Sequence, residues 1–133
     1  MKFKPFYIKN IDYLKFENVF LDSINYDSIL RITIINDKYK VNIIFNRFIS
    51  FRVINESNLM KYWELLDEKN ENGCVFYKIL NSEYFAELKN LSYNFLKSDE
   101  DISYIEHYGI FTLSDCVEVL SEIEPEIQIE IIG

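Results

Sequence analysis

Glycine and proline are scarce in this chain, at three and two of 133 residues. No Gly-rich loop is available to wrap a phosphate, so Asn and Asp must supply most of the turn chemistry. Two cysteines, Cys74 and Cys116, allow one disulfide at most, and they form no Cys-x-x-Cys pair. A single histidine, His107, cannot build a multi-His metal centre. The longest apolar runs are far short of the ~20 residues a membrane span needs. The first eleven residues interleave Lys2, Lys4 and Lys9 with aromatics, unlike the apolar core of a secretory leader. These features lead us to expect a cytoplasmic protein with reduced thiols, no membrane association, no metal and no cofactor. No Walker, dinucleotide-binding, Gly-x-Ser-x-Gly or His-Glu-x-x-His pattern occurs.

Positive charge is missing from the last quarter of the chain. Residues 98–133 hold no Lys or Arg and ten acids: Asp99, Glu100, Asp101, Glu106, Asp115, Glu118, Glu122, Glu124, Glu126 and Glu130. The preceding 97 residues are close to neutral, so this stretch accounts for the formal charge of −8. Such a field repels nucleic acid and attracts cations or a basic protein surface. The plainer reading is a solvated face that keeps the chain soluble. Asp99-Glu100-Asp101 lacks the alternating oxygens and tight-turn Gly of a calcium loop.

Apolar side chains are plentiful: 49% of residues are hydrophobic and 17% aromatic, with eleven Phe and ten Tyr. This suffices for one core in one domain spanning 1–133. Strands are expected over Leu14–Ser23 and Ser28–Ile35, joined by a turn at Asn25-Tyr26-Asp27. A third β segment runs from Tyr39 to Ile54 after a turn at Asn36-Asp37-Lys38. Within it Val41, Ile43, Phe45, Ile49, Phe51 and Val53 share a parity with Arg47. A straight strand would bury that guanidinium, so a bulge or split is expected near Asn46-Arg47.

A helix is expected over 82–96, with Ser82 as N-cap and Glu83 in the first turn. Its apolar stripe is Tyr84, Leu88, Leu91 and Phe95. A second helix over 58–68 is an open alternative to strand or loop. Cys74–Leu80 and Ile102–Leu113 read as strands. Ser114-Asp115 reads as a hairpin turn into Cys116–Leu120, with a short helix as the alternative. Ile127, Ile129 and Ile131 alternate with polar residues as a final edge strand. The sum is an α+β fold: a curved, mainly antiparallel sheet of about seven strands with a helix packed on it.

His107 reads best as a buried residue hydrogen-bonded within the sheet. A Cys116–His107–acid arrangement could serve nucleophilic catalysis, but a buried structural thiol is the simpler reading of Cys116. Phe51-Arg52-Val53-Ile54-Asn55-Glu56-Ser57, Asn81-Ser82-Glu83-Tyr84 and His107 through Leu120 (HYGIFTLSDCVEVL) resemble segments of small bacterial immunity proteins of polymorphic-toxin and contact-dependent inhibition systems. The resemblance implies a non-enzymatic inhibitor of one cognate toxin domain. An acidic inhibitor suits the basic cleft of a nuclease toxin. The expected contact residues are Asp99, Glu100, Asp101, Glu106, Glu118 and Glu122, with Tyr104 and Tyr108 as aromatic anchors. A small-ligand or regulatory module, with an aromatic-lined pocket beside Arg47 or Arg52, is the alternative.

Overall fold

Alternating apolar residues and Asn/Asp turns build this chain as a series of antiparallel pairs. The computed structural model describes residues 1–5, 18–55, 62, 64, 75–91 and 105–133. Among them the strands are β1 (Lys2–Pro5), β2 (Phe20–Tyr26), β3 (Leu30–Ile35), β4 (Tyr39–Phe45), β5 (Phe48–Asn55), β6 (Phe76–Leu80), β7 (Glu106–Phe111), β8 (Asp115–Ser121) and β9 (Glu126–Ile131). One helix, α1 (Glu83–Leu91), lies between β6 and β7. Tyr62 and Glu64 also have helical backbone; the rest of the expected 58–68 helix lies outside the described residues. So do residues 92–96 of the expected 82–96 helix.

The strands form two sheets rather than the single curved sheet expected. One has the order β1-β6-β7-β8-β5 and the other β2-β3-β4-β9. Side-chain parity assigns residues to faces, but it does not say which strands are neighbours. The expected long third segment explains part of the difference. It breaks at Asn46-Arg47, β4 joins one sheet and β5 the other, and the β5–β8 register shifts again between Phe48 and Ser50. Arg47 sits in that break with its side chain 70% exposed, so the guanidinium stays in water.

One apolar core lies between the sheets. Leu30, Ile32, Ile34, Val41, Ile43 and Phe45 of the four-stranded sheet share it with Phe76, Tyr108, Ile110, Val117 and Val119 of the other. Full burial of such a side chain is worth roughly 1.5–3 kcal/mol. The opposite face of the five-stranded sheet is covered too. Phe3, Tyr62, Tyr77, Ile79, Phe111 and Cys116 cluster over one half. Tyr84 of α1 packs with Ile105 and Leu120 over the other, with Ile49, Phe85 and Leu88 beside them. The five-stranded sheet is therefore a middle layer, and β8 from Cys116 to Ser121 is buried on both faces.

Local expectations held at several joints. Ser82 caps α1, its Oγ accepting the Phe85 N–H at 2.9 Å. Asn36 Oδ1 accepts the N–H groups of Lys38 and Tyr39, closing the β3–β4 turn. The β7–β8 connection is the hairpin rather than the helix, and β9 lies at a sheet edge.

Candidate functional site

The acidic stretch meets two different environments. The first is one end of the sandwich, where β4, β6 and β8 finish and β5, β7 and β9 begin. Lys78 Nζ lies 3.0 Å from both Glu106 Oε2 and Glu124 Oε1. Burial would lower the Lys78 pKa, but those two carboxylates outweigh it and hold the ammonium above its ordinary range. Arg47 Nη1 is 3.9 Å from Glu122 Oε2, and Asn46 Nδ2 donates to Glu126 Oε1 at 3.2 Å. In these contacts four carboxylates face two cations. The β8–β9 loop, which carries Glu122 and Glu124, is pinned: Ser121 Oγ donates to the Ile123 carbonyl, and the Glu122 N–H to that of Arg47. Two apolar residues at this end, Leu80 at the end of β6 and Ile123 in the β8–β9 connection, are 44% and 42% exposed.

The second environment is the interior of the helix-covered face. Glu118 is fully buried. Cross-strand pairing places it between Arg52 on β5 and Gly109 on β7. Its Oε2 accepts from Arg52 Nε at 2.5 Å, and its Oε1 accepts from Tyr62 Oη at 2.6 Å. His107 Nε2 lies 2.9 Å from Oε1, although its N–H points off the line of a full hydrogen bond. Burial alone would raise the Glu118 carboxyl; the contacts from His107, Arg52 and Tyr62 outweigh it and hold the pKa down at about 2. Burial pushes His107 the other way, below the usual 6.5, and the contact with Glu118 only partly offsets it. Tyr62 is pushed up by burial and by the neighbouring carboxylate.

Helix α1 docks on this network. The Arg52 guanidinium stacks 4.2 Å from the Tyr84 ring centroid, and that ring meets His107 edge-on at 5.4 Å. Ser82 Oγ lies 2.7 Å from His107 Nδ1. The ionised Glu118 carboxylate can only accept, and it lies 2.9 Å from Nε2, so the ring proton belongs on Nε2 and Nδ1 accepts from the Ser82 hydroxyl. His107 is then the neutral tautomer with its proton on Nε2, facing Glu118. Gly109 lets the Phe111 ring close against the strand: a Cβ there would lie 2.7 Å from that ring.

Two expected contact residues are therefore not on the exterior. Glu118 is in the network just described. Tyr108 is 1% exposed in the intersheet core, its ring 5.4 Å from Phe45 and 5.8 Å from Phe76. The reason is the covering of both faces of the middle sheet, which removes the outward side that alternation on β7 and β8 suggests. Glu106 and Glu122 are on the surface, and the exposed Glu124 joins them. Asp99, Glu100, Asp101 and Tyr104 lie outside the described residues.

The Cys116 thiol is buried, with Sγ 3.9 Å from the Thr112 carbonyl oxygen, and Cys116 pairs across the ladder with Phe111, whereas His107 pairs with Leu120. Four residues of strand separate the two positions, roughly 13 Å at 3.3 Å per residue. The nucleophilic residue brought to His107 is Ser82 instead, which sequence spacing marked as a helix cap and not as a nucleophile.

Two surface clefts accompany these groups. One, of about 270 Å³, is lined by Lys78, Leu80, Ser82, Phe85, Glu106 and His107 among others. The other, of about 350 Å³, lies on the β2–β3 hairpin around Tyr26, Asp27 and Arg31. Neither Arg47 nor Arg52 lines either one. Among the described residues no group of three or more His, Cys, Asp or Glu is placed to hold a metal ion, and no helix is long and apolar enough to cross a membrane. No family model, curated protein or solved structure matches the chain.

Proposed function

We propose that this protein is an immunity-type inhibitor that neutralises a basic toxin domain by occupying its cleft with the acidic end of the sandwich. The observation that carries the reading is that Glu106, Glu122, Glu124 and Glu126 lie at one end of the sandwich, where Leu80 and Ile123 are also exposed. Charged groups with exposed apolar side chains near them suit a protein interface. The anionic groups steer a basic partner into encounter, and the apolar side chains supply the contact that slows release. The pinned β8–β9 loop lowers the ordering cost of binding. The binding role involves no chemistry on the partner.

The test is co-expression with the product of a toxin-like reading frame immediately upstream, followed by co-purification and association kinetics across a salt series. Reversing Glu122, Glu124 and Glu126 to Lys should slow association at low salt by about tenfold or more and flatten the salt dependence, with folding intact. Association unchanged by the triple reversal would eliminate this surface.

A further inference from the structure

Ser82, His107 and Glu118 stand in a row, with the ring Nε2–H off the line to the carboxylate oxygen. The Ser82 hydroxyl donates to His107 Nδ1 at 2.7 Å, and Nε2 faces Glu118 Oε1 at 2.9 Å. A serine nucleophile needs this order: a hydroxyl on an unprotonated imidazole nitrogen, and a carboxylate on the other side of the ring. Here the ring presents Nδ1 to the serine and Nε2 to the acid. Arg52 and Tyr62 hold the carboxylate in place from its remaining sides.

The backbone suits the same role. β6 ends at Leu80, Asn81 takes a positive φ of 54°, and Ser82 opens α1. A strand, a sharp turn, a serine and a helix is a layout that presents a serine oxygen at the end of a sheet. Ser82 and His107 both line the 270 Å³ cleft, whose apolar walls are Ile79, Leu80, Phe85 and Ile105. The cleft has room for a short acyl chain.

We propose that Ser82, with His107 as general base and Glu118 as positioning residue, forms a nucleophilic site that cleaves short acyl esters, an activity beyond the binding role. Ser82 Oγ bonds to the acyl carbon while its proton passes to His107 Nδ1. The carbonyl oxygen takes up the negative charge near the N–H groups that open α1. Collapse breaks the bond to the alcohol oxygen, which leaves with the proton from His107. Water then attacks the acyl-serine, again through His107, releasing the carboxylic acid and restoring the hydroxyl.

The test uses the purified chain, a fluorophosphonate probe with peptide mapping by mass spectrometry, and 4-nitrophenyl acetate hydrolysis. The expected result is one covalent phosphonate per chain on Ser82. Ser82→Asn keeps a good helix cap but no hydroxyl, and should take up none while remaining folded by circular dichroism. His107→Gln should label about a hundredfold more slowly or less. The labelling rate of the native chain should rise with pH through a midpoint below 6.5. A folded native chain without an adduct on Ser82, or equal labelling of His107→Gln, overturns the proposal. Partner association decides the inhibitor reading and a covalent adduct on the chain alone decides this one, so either can fail without the other.

Discussion

Glu118 and Glu122 lie four residues apart and belong to one acidic stretch, yet they do opposite things. Glu118 is sealed under α1 with Arg52, Tyr62 and His107 around it. Glu122 lies at the acidic end, where among the described residues its carboxylate makes a long 3.9 Å contact with a solvent-exposed Arg47. The difference is one of layering. β8 runs through the middle of the molecule, and the chain returns to the surface only after Ser121. A buried carboxylate must have partners for its oxygens or protonate, whereas an exposed one is solvated by water and remains available for a binding partner.

The largest expected effect comes from removing the buried member. Glu118→Ala leaves the Arg52 charge and the polar atoms of His107 and Tyr62 without their shared acceptor, and should cost about 3–5 kcal/mol in urea unfolding. A loss below ~1 kcal/mol would mean that the network is not cohesive. Acid should act next. Glu118 has its carboxyl lowered from 4.5 to about 2 in the folded chain, so its contribution is complete above about 4.5 and disappears as pH falls toward 2. That contribution is on the order of 3 kcal/mol. His107 acts in the same direction. Its folded pKa is lowered, the unfolded chain takes up the proton first, and stability starts to fall below about 6.5. Stability against pH should show two declines on acidification, and His107→Gln should remove the upper one. The smallest effect belongs to the surface. Glu122→Gln should change stability by no more than ~0.5 kcal/mol, and a larger loss would show that the acidic end serves the fold as well as binding.

Much of the local structure was legible. Asn36 marked its turn, Ser82 marked the start of α1, and the parity conflict at Arg47 located the break between β4 and β5. The pairing of sheets was not legible, because Val41 and Val53 show the same alternation although they belong to different sheets. β1 passed unnoticed because Lys2-Phe3-Lys4 offers one apolar residue between two charges, and only the structure shows Phe3 packed against Tyr62 and Tyr77. The exterior acids could be read in part from Glu106 and Glu122. Glu118 could not: its partners Arg52 and Tyr62 lie 66 and 56 residues away in sequence, and nothing in the pattern of β8 announces that a helix covers its second face. The contact between Ser82 and His107 was hidden for the same reason, since it forms only when α1 folds back over β7.

The final strand has a consequence for how the molecules behave in a crowd. β9 lies at the border of the four-stranded sheet and alternates Glu126, Gln128 and Glu130 with isoleucines. A second copy approaching that border antiparallel, centred on Gln128, would set Glu126 against Glu130, and like charges directly opposite repel. A chain ending before residue 126 would lose this guard and bare the rim of β4, with Val41 and Ile43, as a template for fibrous stacking.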